Sequence, residues 1–516
     1  MDYISALDLI HKRLSDPIDI TMEEGAFLKA DLAGLLIDIG AEGQIKEPIL
    51  EGLEIFQKDR KPFCKFIREY SLEYNIGNAK SGLFKIQRMN PSFKFSPESI
   101  APLVEAKNHF WRAYKLMTSK DKEIRLQLLV NLANTLDTSG RVVEALHYYD
   151  QVLKEDLSFP QANACRGQAL IWLNHLSGSY TKNLLWQAMN GFGKAVESIN
   201  APKVYIEDWG KKRDWLQTKL TNLGYGNNDI EHDLLETKAE YESHSDYRKF
   251  CLNNCLCLSE HSLYCNCIGA SRDNLIIPMT IVSIGGEYIP QMELRLNRIK
   301  SEFALARLLY YESSEINKSK WNLNDQEVLF TELYEGESIG LQPEMLRTSF
   351  RLCFGILDKI AHAICELFDL SDSNELIYFE KFWRPRGKNL SCKQNDRWSK
   401  INSIDNFPFL ALYCQATDLN SETGEWSDFK NWRNALEHEI LVLTISSQEP
   451  LDIYKVLKNS RHLICVEYQK FRDTTFHLLQ LTRSAIFNFV FCVRTEGIKE
   501  VKEYGIQVNL TPKIKI

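Results

Sequence analysis

Apolar positions in the C-terminal half of the chain recur with the period of an α-helix, and polar positions lie between them. This pattern predicts helices over residues 301–316, 342–368, 407–418, 426–444 and 462–493. Gly340 and Pro343 mark the start of the second helix. A set of this size predicts a bundle of four or five helices.

The N-terminal half carries an internal repeat. The pattern of residues 131–156 predicts two short helices with Gly140 at the turn between them. Gly167 follows Ala133 by 34 residues. This spacing is the period of the tetratricopeptide repeat, which the segment resembles. An earlier helix looks like the start of another repeat, with an insertion around residues 91–102. The pattern predicts an α-solenoid of such repeats.

Stacked repeats of this kind leave a concave groove, and the groove normally holds a peptide or another protein segment. We therefore expect a protein or peptide ligand there. The alternative is that the solenoid only supports the C-terminal half.

The predicted helix over 426–444 has two distinct faces. Five apolar residues at helical spacing should face the core: Phe429, Trp432, Leu436, Ile440 and Leu443. Asn434 and His438 are four residues apart, so they share a face, and that face lies nearly opposite the apolar one. Arg433 lies at the flank of the apolar face.

Arg433, Asn434 and His438 together suit cleavage of RNA without a metal. Histidine moves protons near neutral pH, and arginine stays charged and presents a planar fork to phosphate oxygens. Asn434 can orient either partner or the phosphate. The alternative is a solvated helix face, with Glu437 and Glu439 beside it.

Residues 433–438 have the sequence RNALEH, which matches the arginine–polar–x–x–x–histidine signature of the HEPN superfamily. The helical domains of this superfamily are mostly ribonucleases. Residues 349–361, 379–383 and 407–413 resemble, in the expected order, segments of a HEPN subfamily that is often joined to tetratricopeptide repeats. The resemblance covers roughly residues 296–500.

The resemblance implies a metal-independent endoribonuclease, with no cofactor, that leaves 2′,3′-cyclic phosphate and 5′-hydroxyl ends. It implies a homodimer that brings two copies of the motif together, because one histidine cannot easily serve as both acid and base. It also implies a regulated toxin or an effector of anti-phage defence, with the repeats as sensor. The alternative is a TPR/HEPN interaction scaffold that does not cut.

Other residues are secondary candidates. Asp358 and Lys359 could assist catalysis, or they could form ionic contacts that fix helix packing. Residues 375–400 hold seven basic and three acidic side chains with tryptophans between them, a pattern that suits single-stranded RNA. The predicted RNA contacts are Arg384, Arg386, Lys388, Lys393, Arg397 and Trp398. The alternative is a solvated loop.

Charge, cysteine content and hydropathy limit which functions and locations the sequence permits. The net charge of −7 argues against a protein that coats nucleic acid, so an RNA site must be a local patch. Thirteen cysteines without an export signal indicate a cytoplasmic chain with reduced thiols. The longest apolar run, residues 485–493, is too short to span a bilayer, so no membrane contact is expected.

Five cysteines cluster between Cys251 and Cys267, with His261 among them. Thiolates at close spacing suit zinc, but the Cys-x-Cys spacing is less typical of a zinc site than Cys-x-x-Cys. We predict small buried thiols and no metal. Residues 274–284 are rich in branched residues and are expected to form a short strand.

The prediction is an all-α chain: a TPR-like α-solenoid, a short joint with a strand, and a HEPN-type helical bundle. Its predicted parts are a helical cap (1–60), TPR-like repeats (61–245), a cysteine-rich joint (246–295), the HEPN bundle (296–500) and a tail (501–516).

Overall fold

The computed structural model describes most of the chain. The described residues are 3–118, 120–177, 182–277, 288–314, 336–371, 375–383, 392–420, 424, 426, 428–445 and 463–504.

Contacts within the chain divide it into two compact units. The first comprises Met1–Asn174, Leu184–Asn222 and Ile401–Thr417. The second comprises His175–Asn183, Leu223–Lys400 and Asp418–Ile516. The division differs from the predicted domain boundaries at residues 401–417, which were expected in the C-terminal bundle.

The first half of the chain is a series of helices. They are α1 (Tyr3–Ser15), α2 (Glu23–Gly43), α3 (Lys46–Lys58), α4 (Arg60–Phe63), α5 (Glu69–Arg88), α6 (Ala101–Leu116), α7 (Lys122–Thr138), α8 (Val142–Glu155), α9 (Pro160–Ser177), α10 (Lys182–Glu197) and α11 (Lys203–Asn222). Neighbours in sequence pack together, α2 on α3, α5 on α6 and α7 on α8.

The described residues of the second half form further helices and two strands. They are α12 (Asn227–Ser243), α13 (Asp246–Asn253), a 3₁₀ turn (Glu260–Leu263), α14 (Ile268–Ser271), α15 (Tyr288–Glu312), α16 (Leu341–Leu367), α17 (Cys392–Ser403), α18 (Phe407–Asp418), α19 (Asp428–His438), β1 (Ile440–Thr444), β2 (Leu463–Glu467) and α20 (Tyr468–Tyr504). The all-α fold class with N-terminal helical repeats is confirmed.

Helix α8 shows why these sequences form paired helices. Its buried residues recur at helical spacing: Val142, Val143, Ala145, Leu146, Tyr149 and Val152. The turn before it depends on Gly140, whose φ is +88°, a conformation that favours glycine. A Cβ at this position would lie 2.9 Å from the carbonyl oxygen of Phe407. Gly140 therefore permits both the turn and the close approach of α18.

Several contacts place α18 inside the first unit. Leu410 and Cys414 share a core cluster with Phe84, Ile100 and Leu103. Phe93 and Phe95, which lie in the insertion predicted around residues 91–102, pack against this cluster. The insertion therefore has a packing role, since it covers the face that receives α18.

A buried carboxylate ties α5 to its neighbours in the same unit. Glu73, which is 2% exposed, accepts a hydrogen bond from Arg60 at 2.5 Å and lies 2.6 Å from Nδ1 of His109. Burial raises the pKa of the Glu73 carboxyl, but the contacts with His109 and Arg60 outweigh burial and lower it to about 2.

Two predicted helices have different bounds in the structure, because part of each forms a strand. The helix predicted over 426–444 ends at His438, and residues 440–444 form β1; the helix predicted over 462–493 begins only at Tyr468, after β2. The strands pair in parallel, Ile440 opposite Leu463 and Thr444 opposite Glu467. Short apolar runs fit either a strand or a helix by periodicity, and here the pairing decides.

Three other predictions were wrong in part. The helix predicted over 301–316 runs from Tyr288 to Glu312 in the structure. The segment 375–400, which was expected to be a loop, contains most of α17 (Cys392–Ser403). Residues 274–277 of the predicted strand are irregular, and the rest of that segment lies outside the described residues.

Helix α20 is longer than the apolar run seen in the sequence. Its stretch Tyr468–Lys499 is long and apolar enough to cross a membrane by length and composition, and 83% of its most apolar part is buried. The buried core helix of a soluble protein passes the same test.

Candidate active site

Helix α19 carries the predicted catalytic motif with one face in the core. Phe429, Trp432 and Ala435 are buried, whereas Asn434 and His438 are exposed. Asp428 in the first turn and His438 in the last turn both suit the helix dipole. The predicted separation of the two faces is therefore present, although its far end differs: Ile440, expected in the core, is 60% exposed on β1.

An aromatic cluster fixes the orientation of α19. The ring of Phe350 on α16 lies 5.7 Å from that of Phe429 and 6.3 Å from that of Trp432. Phe471 on α20 lies 5.2 Å from the same Phe350 ring. Packed rings resist rotation of the helix, so Asn434 and His438 stay on the solvent side.

Arg433 turns toward the protein. Its Nη2 donates to Oδ2 of Asp358 at 2.9 Å, and its guanidinium lies 5.3 Å and 5.5 Å from the rings of Phe354 and Tyr378. The side chains of Arg433 and Asp358 are 22% and 18% exposed. The contact accounts for one of the five N–H donors of the guanidinium.

Asp358 is the residue that anchors this arginine. Its Oδ1 accepts the backbone N–H of Phe379 at 3.0 Å while its Oδ2 binds Arg433. Burial raises the pKa of the Asp358 carboxyl, and the charge of Arg433 acts in the opposite direction. Arg433 and the N–H of Phe379 therefore both favour the ionised form of this carboxyl.

Lys359 has a different partner. Its Nζ lies 2.9 Å from Glu302 on α15, which also accepts a hydrogen bond from Arg298 at 2.8 Å. Asp358 and Lys359 each join α16 to another helix, so ionic contacts that fix helix packing describe both. A catalytic role for either stays a prediction.

The strand after the motif holds the C-terminal end of α19. Arg347 on α16 donates to the carbonyl oxygen of Leu441 at 3.1 Å. The parallel pairing of β1 with β2 begins at Ile440, two residues after His438. Both contacts limit how far His438 can move relative to α16.

The predicted RNA-contacting segment is only partly described. Arg384, Arg386 and Lys388 lie outside the described residues, and the side chain of Lys393, on α17, does too. Arg397 donates to Glu375 from both terminal nitrogens, one contact at 3.0 Å. Trp398 is half-buried. RNA contact by these residues stays a prediction.

The five cysteines between Cys251 and Cys267 differ in their surroundings. Cys251 and Cys257 are fully buried, and Sγ of Cys267 lies 3.7 Å from Nδ1 of His261. A hydrogen bond from Cys267 lowers the pKa of Cys265 to about 6, against the effect of burial. In the described part of the chain, the atoms close enough to share a metal ion belong to the exposed side chains of His232 and Glu236 and the half-buried side chain of Asp233.

The first unit has a groove that could hold the predicted peptide ligand. It encloses about 470 Å³ and is lined by residues of α2, α5, α6 and α7. Asn131 donates to the hydroxyl of Tyr74 at 3.0 Å and to Oδ1 of Asn78 at 3.1 Å. These amides can bind a peptide backbone, and occupation of the groove stays a prediction.

The fold and the site define a helical protein whose C-terminal half presents an exposed asparagine–histidine face beside an anchored arginine. Residues 285–496 match the family model for the LA2681-like HEPN domain, a range that contains α16 and the RNALEH motif. This match supports assignment of the region to the HEPN superfamily. HEPN domains are often ribonucleases, and the family suggests a ribonuclease or nucleotide-related function. Searches of curated proteins and of solved structures found no match. The N-terminal helices are consistent with TPR-like repeats.

Proposed function

We propose that this protein is a metal-independent endoribonuclease of the HEPN type. The observation that carries the proposal is the arrangement on α19: Asn434 and His438 share an exposed face, and the adjacent Arg433 is held in place by Asp358. RNA can reach an exposed face without opening the core.

The chemistry follows from the three side chains. His438 takes the proton of the attacking 2′-hydroxyl or gives one to the leaving 5′-oxygen. Arg433 binds the scissile phosphate and stabilises charge that develops in the transition state. Asn434 orients the histidine or donates to a phosphate oxygen. The products are a 2′,3′-cyclic phosphate and a 5′-hydroxyl.

A second copy of the chain supplies the missing partner in this proposal. One histidine cannot easily be both acid and base in a single turnover, and a two-fold dimer brings two His438 side chains to one site. His438 is exposed, as such a dimer requires. The enzyme would act in the cytoplasm as a regulated toxin or anti-phage effector, with the groove of the first unit as its sensor.

The test is cleavage of total RNA and labelled tRNA in EDTA by the full-length protein. We expect cyclic phosphate ends from the wild type and no cleavage by His438→Ala or by Arg433→Lys, which keeps the charge but loses the planar fork. Asn431→Ala, at an exposed position of the same helix, and His232→Ala, another exposed helical histidine, should cut normally.

One observation favours a non-catalytic scaffold as the second candidate. The ion pair of Arg433 with Asp358 joins two helices whether or not RNA is cut. A wild type that leaves RNA intact, and whose expression harms cells no more than that of His438→Ala, would refute the nuclease and support the scaffold.

A further inference from the structure

A second cavity lies in the first unit, apart from the groove expected to bind a peptide. It encloses about 500 Å³, within the range of about 300–1,000 Å³ usual for small-molecule sites. Its lining comes from four parts of the chain: the end of α5 and the segment after it, the end of α7, helix α9, and the start of α18 with the two residues before it, Asp405 and Asn406.

Three aromatic rings form the apolar walls. The ring of Phe407 lies 5.1 Å from that of Phe95 and 5.5 Å from that of Trp172, both in edge-to-face contact. All three residues are partly exposed although they line a cavity. Partly exposed rings of this kind can accept a flat ligand by stacking.

The cavity lining includes a carboxylate with a buried oxygen. Oδ1 of Asp137 is buried and has no hydrogen-bond partner among the described residues. Burial raises the pKa of this carboxyl to about 7, although Arg88 lowers it. A buried acceptor without a donor is costly, so a ligand with N–H groups would be stabilised here.

The cavity lining also includes a cation. Arg88 lines the same cavity, is exposed, and places its guanidinium 5.4 Å from the centre of the Phe95 ring. It forms no ion pair with any residue that the structure describes. An anionic group of a ligand could therefore bind Arg88 without displacing a carboxylate.

The chemistry of these groups indicates the class of ligand. The unpartnered Asp137 oxygen requires N–H donors, the aromatic side chains suit a flat ring, and Arg88 suits an anionic group. A purine nucleotide supplies all three, and its N–H donors lie on the edge of the flat ring itself.

We propose that this cavity binds a purine nucleotide, with the base among Phe95, Trp172 and Phe407 and the phosphate beside Arg88. Guanine is the preferred base, because its adjacent N1–H and N2–H groups match the two oxygens of the Asp137 carboxylate. The site is independent of the RNALEH motif, and the proposal does not depend on the nuclease.

The test is isothermal titration of the full-length protein with GMP, AMP, guanosine and phenylalanine. We expect GMP to bind more tightly than AMP and phenylalanine not to bind. Asp137→Asn, which keeps the side-chain size, should weaken GMP by about tenfold or more, because a bidentate contact is lost. Arg88→Gln should bring the affinity for GMP down to that for guanosine, because only the phosphate contact is removed.

A matched control separates these effects from general loss of charge. Lys85→Gln removes an exposed cation from the same helix, at a position that lines the groove and not this cavity, and should leave the GMP affinity unchanged. Three results would overturn the proposal: no heat of binding with GMP at about 1 mM, GMP binding that both site variants retain, or phenylalanine binding in its place.

Discussion

The ion pair between Arg433 and Asp358 gives a quantitative prediction that separates stability from catalysis. Breaking a fully buried pair costs about 3–5 kcal/mol and breaking an exposed pair about 0–1 kcal/mol. Because the two side chains are 22% and 18% exposed, we expect Arg433→Met to destabilise the protein by about 1–3 kcal/mol. His438→Ala removes an exposed side chain and should change stability by less than about 0.5 kcal/mol.

The assay is a double-mutant cycle with Arg433→Met and Asp358→Asn, followed by urea unfolding. Asparagine keeps an oxygen for the N–H of Phe379, so Asp358→Asn removes mainly the charge. The coupling energy between the two sites should be about 1–3 kcal/mol. A coupling within about 0.3 kcal/mol of zero, or an equal loss in His438→Ala, would refute this reasoning.

The pH dependence of Arg433→Met supplies a second readout. Without the arginine, burial raises the pKa of Asp358 further above its unfolded value. A raised carboxyl pKa gives stability that is present below the unfolded pKa and is lost as pH rises through the folded pKa. The deficit of the variant against wild type should therefore be larger at alkaline than at acidic pH.

Three further predictions concern the first unit. The pKa of the Glu73 carboxyl is lowered from 4.5 to about 2. On the order of 3 kcal/mol of folding stability should therefore be lost as pH falls from 4.5 to about 2. In Glu73→Gln, stability measured by urea unfolding should depend less on pH over this range. Asp137→Asn should stabilise the protein increasingly as pH rises from 3.8 to about 7 and by a constant amount above that, because folding raises the pKa of the Asp137 carboxyl from 3.8 to about 7 and so opposes its ionisation. Gly140→Ala should lower the thermal midpoint through its positive φ and the close Phe407 oxygen, whereas Gly210→Ala, with no atom within 4 Å of its new Cβ, should stabilise by about 0.5–1 kcal/mol.

Periodicity predicted the helices and the exposed face that form the candidate site. The bounds of α18 were correct, and those of α16 differ from the prediction by one residue at each end. The exposure of Asn434 and His438 follows directly from the 3.6-residue repeat, because the buried residues of α19 recur on the other face. These features depend on local sequence alone.

Features that depend on distant residues were not predictable in this way. Residues 440–444 form a strand because residues 463–467 pair with them, and nothing within either run specifies the other. The partner of Arg433 lies 75 residues away in sequence. The position of α18 depends on contacts such as the hydrogen bonds from Lys107 to Thr417 and from Gln415 to Glu144. The hydrophobic pattern of the sequence does not predict these contacts.

The late position of residues 401–417 in the chain has a consequence during synthesis. The rest of the first unit is complete at Asn222, and Ile401 is added about 180 residues later. At about 5–20 residues per second, translation takes roughly 10–40 s to cover that distance. Throughout this interval Phe84, Ile100 and Leu103 lack the side chains of Leu410 and Cys414 that cover them in the finished protein. The nascent chain therefore exposes this apolar surface throughout the interval, and the cavity lined by Phe407 forms only afterwards.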